Sequence, residues 1–133
     1  MKVVLDTSVI IAAFAARGLC HAVFELCLDR HELFFSDFIL DEVEKNLTKK
    51  IKLPHTVTKE TLIYMQENST IVTPTPVSAK LCRDPNDLPI LGTAIAAIAE
   101  FLVSVDKDLL VMKQIEKTAI ISPRQFWEIS TKL

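Results

Sequence analysis

Residues 2–16 read KVVLDTSVIIAAFAA. The β-branched run at 2–5 predicts a buried strand. The Ala-rich apolar run at 9–16 predicts a helix ending at Gly18. Between them stand Asp6, Thr7 and Ser8. Strand, acidic residue, helix is the order with which an alternating α/β chain opens.

The alternation continues outward from there. Residues 21–28 carry Val23, Leu26 and Cys27 at helical spacing. Residues 33–35 form a second strand, and 38–50 a helix with Ile39, Leu40, Val43 and Leu47 on one stripe. A helix over 58–67 and a third strand over 70–73 follow, the latter ended by two prolines. Residues 90–99 are apolar on every side, which implies a helix buried between layers. A fourth strand (101–105), a short helix (109–115) and a fifth strand (118–121) come next, and Pro123 opens a closing helix at its first position. This order predicts an α/β fold with a parallel sheet and helices on both faces, in one domain over 1–133.

Composition narrows the function. Half of the 133 residues are hydrophobic, enough for a core. Fifteen basic residues against seventeen acidic ones leave a formal charge of −2, so no global basic field exists to bind nucleic acid by charge alone. Two glycines exclude a Gly-rich phosphate loop. Three cysteines, Cys20, Cys27 and Cys82, are read as reduced thiols rather than a disulfide framework. The N-terminal run has the look of a secretory leader, but Asp6 inside it argues otherwise. The run at 88–103 is too short for a span and holds Glu100. The expected setting is cytoplasmic, away from membranes.

Four acidic positions fall where an open parallel sheet binds ligands, beyond the carboxyl ends of its strands. The first strand runs into Asp6 and the fourth into Asp106. Alone, each is explained as a turn former or helix cap. Asp84-Pro-Asn-Asp87 precedes the buried helix. Pro89 suits a helix starting near Asp87, which makes Asp87 the better cap. Glu42 flanks the buried stripe of its helix, with Asn46 and Lys49 on its face, and alone it reads as a solvated residue.

Together the four change in meaning. Clustered carboxylates without paired cations raise one another's pKa. A hard divalent cation would neutralise them, and oxygen-only ligands suit Mg²⁺ or Mn²⁺. His21, His31 and His55 show no metal spacing. The chemistry that follows is phosphodiester hydrolysis by metal-activated water.

The segments VVLDTSVIIAA, FSDFILDEVEKNL, RDPNDLPILGTAIA and LVSVDKDLL resemble the successive motifs of the PIN-domain nucleases, especially single-domain members that include VapC-type toxins. The resemblance covers essentially the whole chain. It implies a three-layer α/β/α fold with a five-stranded parallel sheet of order 3-2-1-4-5. It implies Mg²⁺- or Mn²⁺-dependent RNA cleavage, a cognate antitoxin and, in many members, a homodimer. Carried over by position, the acidic site is Asp6, Glu42, Asp87 and Asp106. Asp84 matches an extra acidic position. Ser8 stands where many relatives have Asn, Ser104 where Thr is usual, and Val105 where Gly is frequent.

In this reading Asp6, Asp87 and Asp106 hold the metal directly or through water, and Glu42 positions or deprotonates the attacking water. Ser8, Asp84 and Ser104 are accessory. RNA approaching an acidic pocket needs cations at the rim. Lys45, Lys49, Lys50 and Lys52 lie along and after the Glu42 helix, and Arg17, Arg83 and Lys107 beside the acidic motifs. Lys45, Lys49, Arg83 and Lys107 are the expected RNA contacts, which position the strand without reading its sequence. Trp127 is expected to pack. Two other readings stay open. One is a non-catalytic PIN-fold scaffold for RNA or protein. The other is a receiver-type phosphoacceptor domain, which would need a lysine from a later strand beside the acids.

Overall fold

The computed structural model describes residues 1–132. Six strands form one sheet: β1 (Lys2–Leu5), β2 (Glu32–Phe35), β3 (Thr70–Ile71), β4 (Phe101–Val103), β5 (Gln114–Ile115) and β6 (Thr118–Ile121). Their spatial order is β3-β2-β1-β4-β6-β5. The first five in that row are parallel, and β5 pairs antiparallel with β6. Among the described residues seven α-helices accompany them, six between strands and the last after β6: α1 (Thr7–Ala15), α2 (Leu19–Arg30), α3 (Asp37–Lys49), α4 (His55–Glu67), α5 (Asp87–Ala97), α6 (Lys107–Leu110) and α7 (Pro123–Thr131).

The central strands are buried on both sides. Val3, Val4, Leu5, Leu102 and Val103 are fully inaccessible, as a parallel sheet covered by helices requires. Burying a side chain of that size contributes about 1.5–3 kcal/mol. Helix α3 buries the expected stripe of Ile39, Leu40, Val43 and Leu47. Helix α5 is apolar all round and packs against β1, β2 and β4. At Gly92 an added Cβ would meet the Thr75 carbonyl oxygen at 2.3 Å, so only glycine lets the strap after β3 cross α5. Thr75 N–H donates to the Gly92 carbonyl at 3.0 Å, which fixes that crossing.

The three-layer α/β/α class matches expectation, with corrections at the edges. The expected fifth strand is β6, so the parallel part has the 3-2-1-4-5 order. The sheet gains β5, where residues 109–115 read as a helix. That helix stops at Leu110, the backbone turns through a left-handed Lys113, and Ile115 is buried by pairing with Thr118. Gly18 does not end α1. It is extended, and it caps the start of α2. Asp87 is not a cap either: Asn86 holds that position and Asp87 is the first helical residue. Pro89 then falls within the first turn, where no N–H is needed. Trp127 is 37% exposed on α7, so it packs only in part. Ile98 ends α5 in the left-handed region (φ 51°) with its side chain largely in solvent. Among the described residues, no single helix is long and apolar enough to cross a membrane.

Candidate active site at the carboxyl ends of the strands

Strand β1 delivers Asp6. Its backbone N–H donates to the Val103 carbonyl at 3.0 Å, which ties the end of β1 to the end of β4. Its side chain caps α1 by accepting the Val9 N–H at 3.2 Å. The Ser8 hydroxyl donates to Oδ1 and the Ser104 hydroxyl to Oδ2. Asp6 is almost inaccessible. Burial pushes its carboxyl above the ordinary range, against the lowering effect of the Ser104, Ser8 and Val9 donors.

Strand β4 delivers Ser104 and Asp106. Ser104 is fully buried, and its hydroxyl also accepts the Asp106 N–H at 2.9 Å. Asp106 caps α6 through the Asp108 N–H at 2.9 Å. The cap role and the site role coincide in both Asp6 and Asp106.

Glu42 leans in from α3. The Thr7 hydroxyl donates to its Oε1 at 2.9 Å, and the Asn46 amide donates to its backbone carbonyl at 2.8 Å. Asp84 is exposed and folds its own loop, its Oδ1 accepting the Asn86 N–H at 2.9 Å.

Asp87 differs from the others. It is 5% exposed, and among the described residues its Oδ2 has no hydrogen-bond partner. Burial first, then the charges of Asp106, Asp84, Asp6 and Asp108, pushes its carboxyl up to about 7. A buried carboxylate oxygen without a donor is costly, and buried polar groups are nearly always paired.

Asp6, Glu42, Asp84, Asp87 and Asp106 line one cavity of about 430 Å³. Thr7, Ser8, Asn46, Asn86, Ile11, Ala12, Ile90 and Lys50 complete its wall. Lys50 is the one cationic side chain among the described lining residues. Of the expected RNA contacts, Lys45, Lys49 and Lys107 are exposed and do not line the cavity. Arg83 is exposed and paired with Asp108 at 2.8 Å. The position of Lys107 removes the lysine that a receiver-type site needs.

The donor set suits a hard cation. It is all oxygen, it carries five carboxylates against one lysine, and it leaves Asp87 Oδ2 unpaired. Among the described residues, no three Asp, Glu, His or Cys side chains converge closely enough to grip an ion unaided. Water would therefore fill much of the coordination shell, as it usually does around Mg²⁺. A larger cavity of about 580 Å³ lies elsewhere, between α1, α2 and α4, lined by Phe14, Phe24, Leu28 and Tyr64 with a few polar groups. Glu25, Asp29 and Glu60 also line it, three acids against the five of the smaller cavity.

Sequence reasoning missed Thr7 as the partner of Glu42 and Asn86 as part of the wall. Thr7 follows Asp6 directly, but its target lies 35 positions away on another helix. Only the packing of α1 on α3 reveals the pair.

The sequence model of the PIN domain matches residues 2–108. No curated protein matches the chain by sequence. Among solved structures, VapBC2 from Rickettsia felis bound to a DNA fragment from their promoter is similar at 20% identity and a TM-score of 0.63, covering 92% of this chain and 98% of that one. VapBC-1 from nontypeable Haemophilus influenzae is similar at 19% identity and a TM-score of 0.55, covering 80% of this chain and 87% of that one. At these identities the likeness is one of fold. The family match spans four-fifths of the sequence and includes every acidic residue of the cavity: the chain belongs to the PIN domain family.

Proposed function

We propose that the protein is a Mg²⁺- or Mn²⁺-dependent endoribonuclease and the toxin of a type II toxin–antitoxin pair. The observation that carries the nuclease reading is Asp87 Oδ2, buried without a partner in a cavity with four other carboxylates. Asp6, Asp87 and Asp106 would hold the cation directly or through water. When bound, it would supply a Lewis acid that lowers the pKa of water and offsets charge on phosphate oxygens.

The chain's own residues do the rest. Ser8 and Ser104 donate to both oxygens of Asp6, which holds the carboxylate in a fixed plane. Glu42, anchored at Oε1 by Thr7, turns Oε2 to the attacking water and accepts its proton. Lys50, at the end of the helix that carries Glu42, contacts a substrate phosphate as a point charge. Ile11 and Ile90 give the cavity an apolar side on which a ribose or base edge rests.

The toxin reading adds a partner. Both similar structures are of VapBC complexes. The cognate chain here would be an antitoxin that occludes the cavity with a cationic side chain among the carboxylates. Homodimers of the nuclease are part of the same proposal.

The test is cleavage of a single-stranded RNA pool by the purified chain, with Mg²⁺ or Mn²⁺ and with chelator. Metal-dependent cleavage supports the reading. RNA binding without cleavage supports the scaffold instead, and neither activity removes both.

A further inference from the structure

Glu42 is the one carboxylate in the cavity whose main tether comes from a helix other than its own. Among the described residues, Thr7 makes the only side-chain hydrogen bond to its carboxyl group, at 2.9 Å. Among the described residues, no cation is paired with Glu42. Thr7 is the first residue of α1 and is buried, so its hydroxyl has little access to water. Its backbone is held by the adjacent Asp6, which both joins β4 and caps α1.

We infer that Thr7 is a positioning residue for Glu42, an inference that rests on the nuclease reading above. A glutamate has three rotatable side-chain bonds and, on a half-exposed helix face, samples several rotamers. Donation from Thr7 to Oε1 selects one of them on a side chain that lines the cavity. The same two-residue step, Asp6-Thr7, therefore places a carboxylate from β1 and orients a carboxylate from α3. Thr7 touches no reacting atom in this scheme. Its effect passes through Glu42, and misplacement of such a group costs on the order of 100-fold in rate for 1 Å.

The test compares Thr7→Val, which keeps shape and loses the hydroxyl, with Thr7→Ser, which keeps the hydroxyl. RNA cleavage by the full chain in Mg²⁺ is measured with kcat and KM separated. Thr7→Val should lose about 10- to 100-fold in kcat with KM within about twofold. Thr7→Ser should recover most of the loss. In a Glu42→Gln background, Thr7→Val should cost little more, because the two act as one unit. Full kcat in Thr7→Val beside an inactive Glu42→Gln overturns the inference and leaves the nuclease reading standing. A chain that cleaves no RNA fails the nuclease reading instead. A crystal structure of Thr7→Val then decides the positioning claim without activity: a displaced Glu42 carboxylate supports it, and an unmoved one refutes it.

Discussion

The Ser104 hydroxyl donates to Asp6 Oδ2 across 98 positions of sequence. The Ser104 hydroxyl oxygen in turn accepts the Asp106 N–H at 2.9 Å. One buried hydroxyl thus joins the carboxylate that ends β1 to the backbone of the carboxylate that follows β4. Ser104→Ala removes a donor from one and an acceptor from the other. Leaving buried partners unsatisfied costs about 1–3 kcal/mol. Chemical denaturation should show a loss in that range. Without its strongest hydroxyl donor, Asp6 should also titrate higher still. An unchanged denaturation midpoint would mean the contact contributes nothing.

Asp87 makes stability depend on pH. Its carboxyl rises from an ordinary 3.8 to about 7 on folding, chiefly through burial. Between those values the folded protein binds a proton that the unfolded chain has released. This contribution is full below the unfolded value and is lost as pH rises through 7. The metal-free protein should therefore melt lower at pH 8 than at pH 5.5, by on the order of 3–8 °C. Asp87→Asn should flatten that fall, and Mg²⁺ or Mn²⁺ at pH 8 should reverse it in the wild type. A fall of equal size in Asp87→Asn would place its origin elsewhere.

The rim cations divide by position. Lys50 lines the cavity, whereas Arg83 is exposed and spends its charge on Asp108. Lys50→Ala should weaken RNA binding and reduce the salt slope of log K by about 1. Arg83→Ala should leave both nearly unchanged, because an exposed ion pair is screened by solvent. Filter binding over a salt series checks this. An Arg83 effect larger than that of Lys50 reverses the assignment.

These particulars show what was legible in the sequence. Asp6 and Asp106 were, because a hydrophobic strand that runs into a carboxylate fixes where that carboxylate points. The parallel core was legible for the same reason. The β5–β6 hairpin was not, since its left-handed positions fall on Lys113 and Glu116 rather than on glycine. The phase of the α3 lysines was ambiguous. Spacing from Glu42 put Asn46 and Lys49 on one face, but at the helix end it is Lys50 that reaches the cavity. Asp87 read as a cap because a cap and a first helical residue differ by one position. The missing partner on its Oδ2, which argues for a cation, exists only in three dimensions.

The most direct measurement is the rate of Mg²⁺-dependent cleavage of one single-stranded RNA by the wild type, Asp6→Asn and Asp106→Asn at pH 7.5. Each variant changes one oxygen to an amide, and circular dichroism verifies its fold. The account predicts cleavage by the wild type that chelator abolishes, and a loss of at least about 100-fold in both variants. Undiminished cleavage by both folded variants would contradict it.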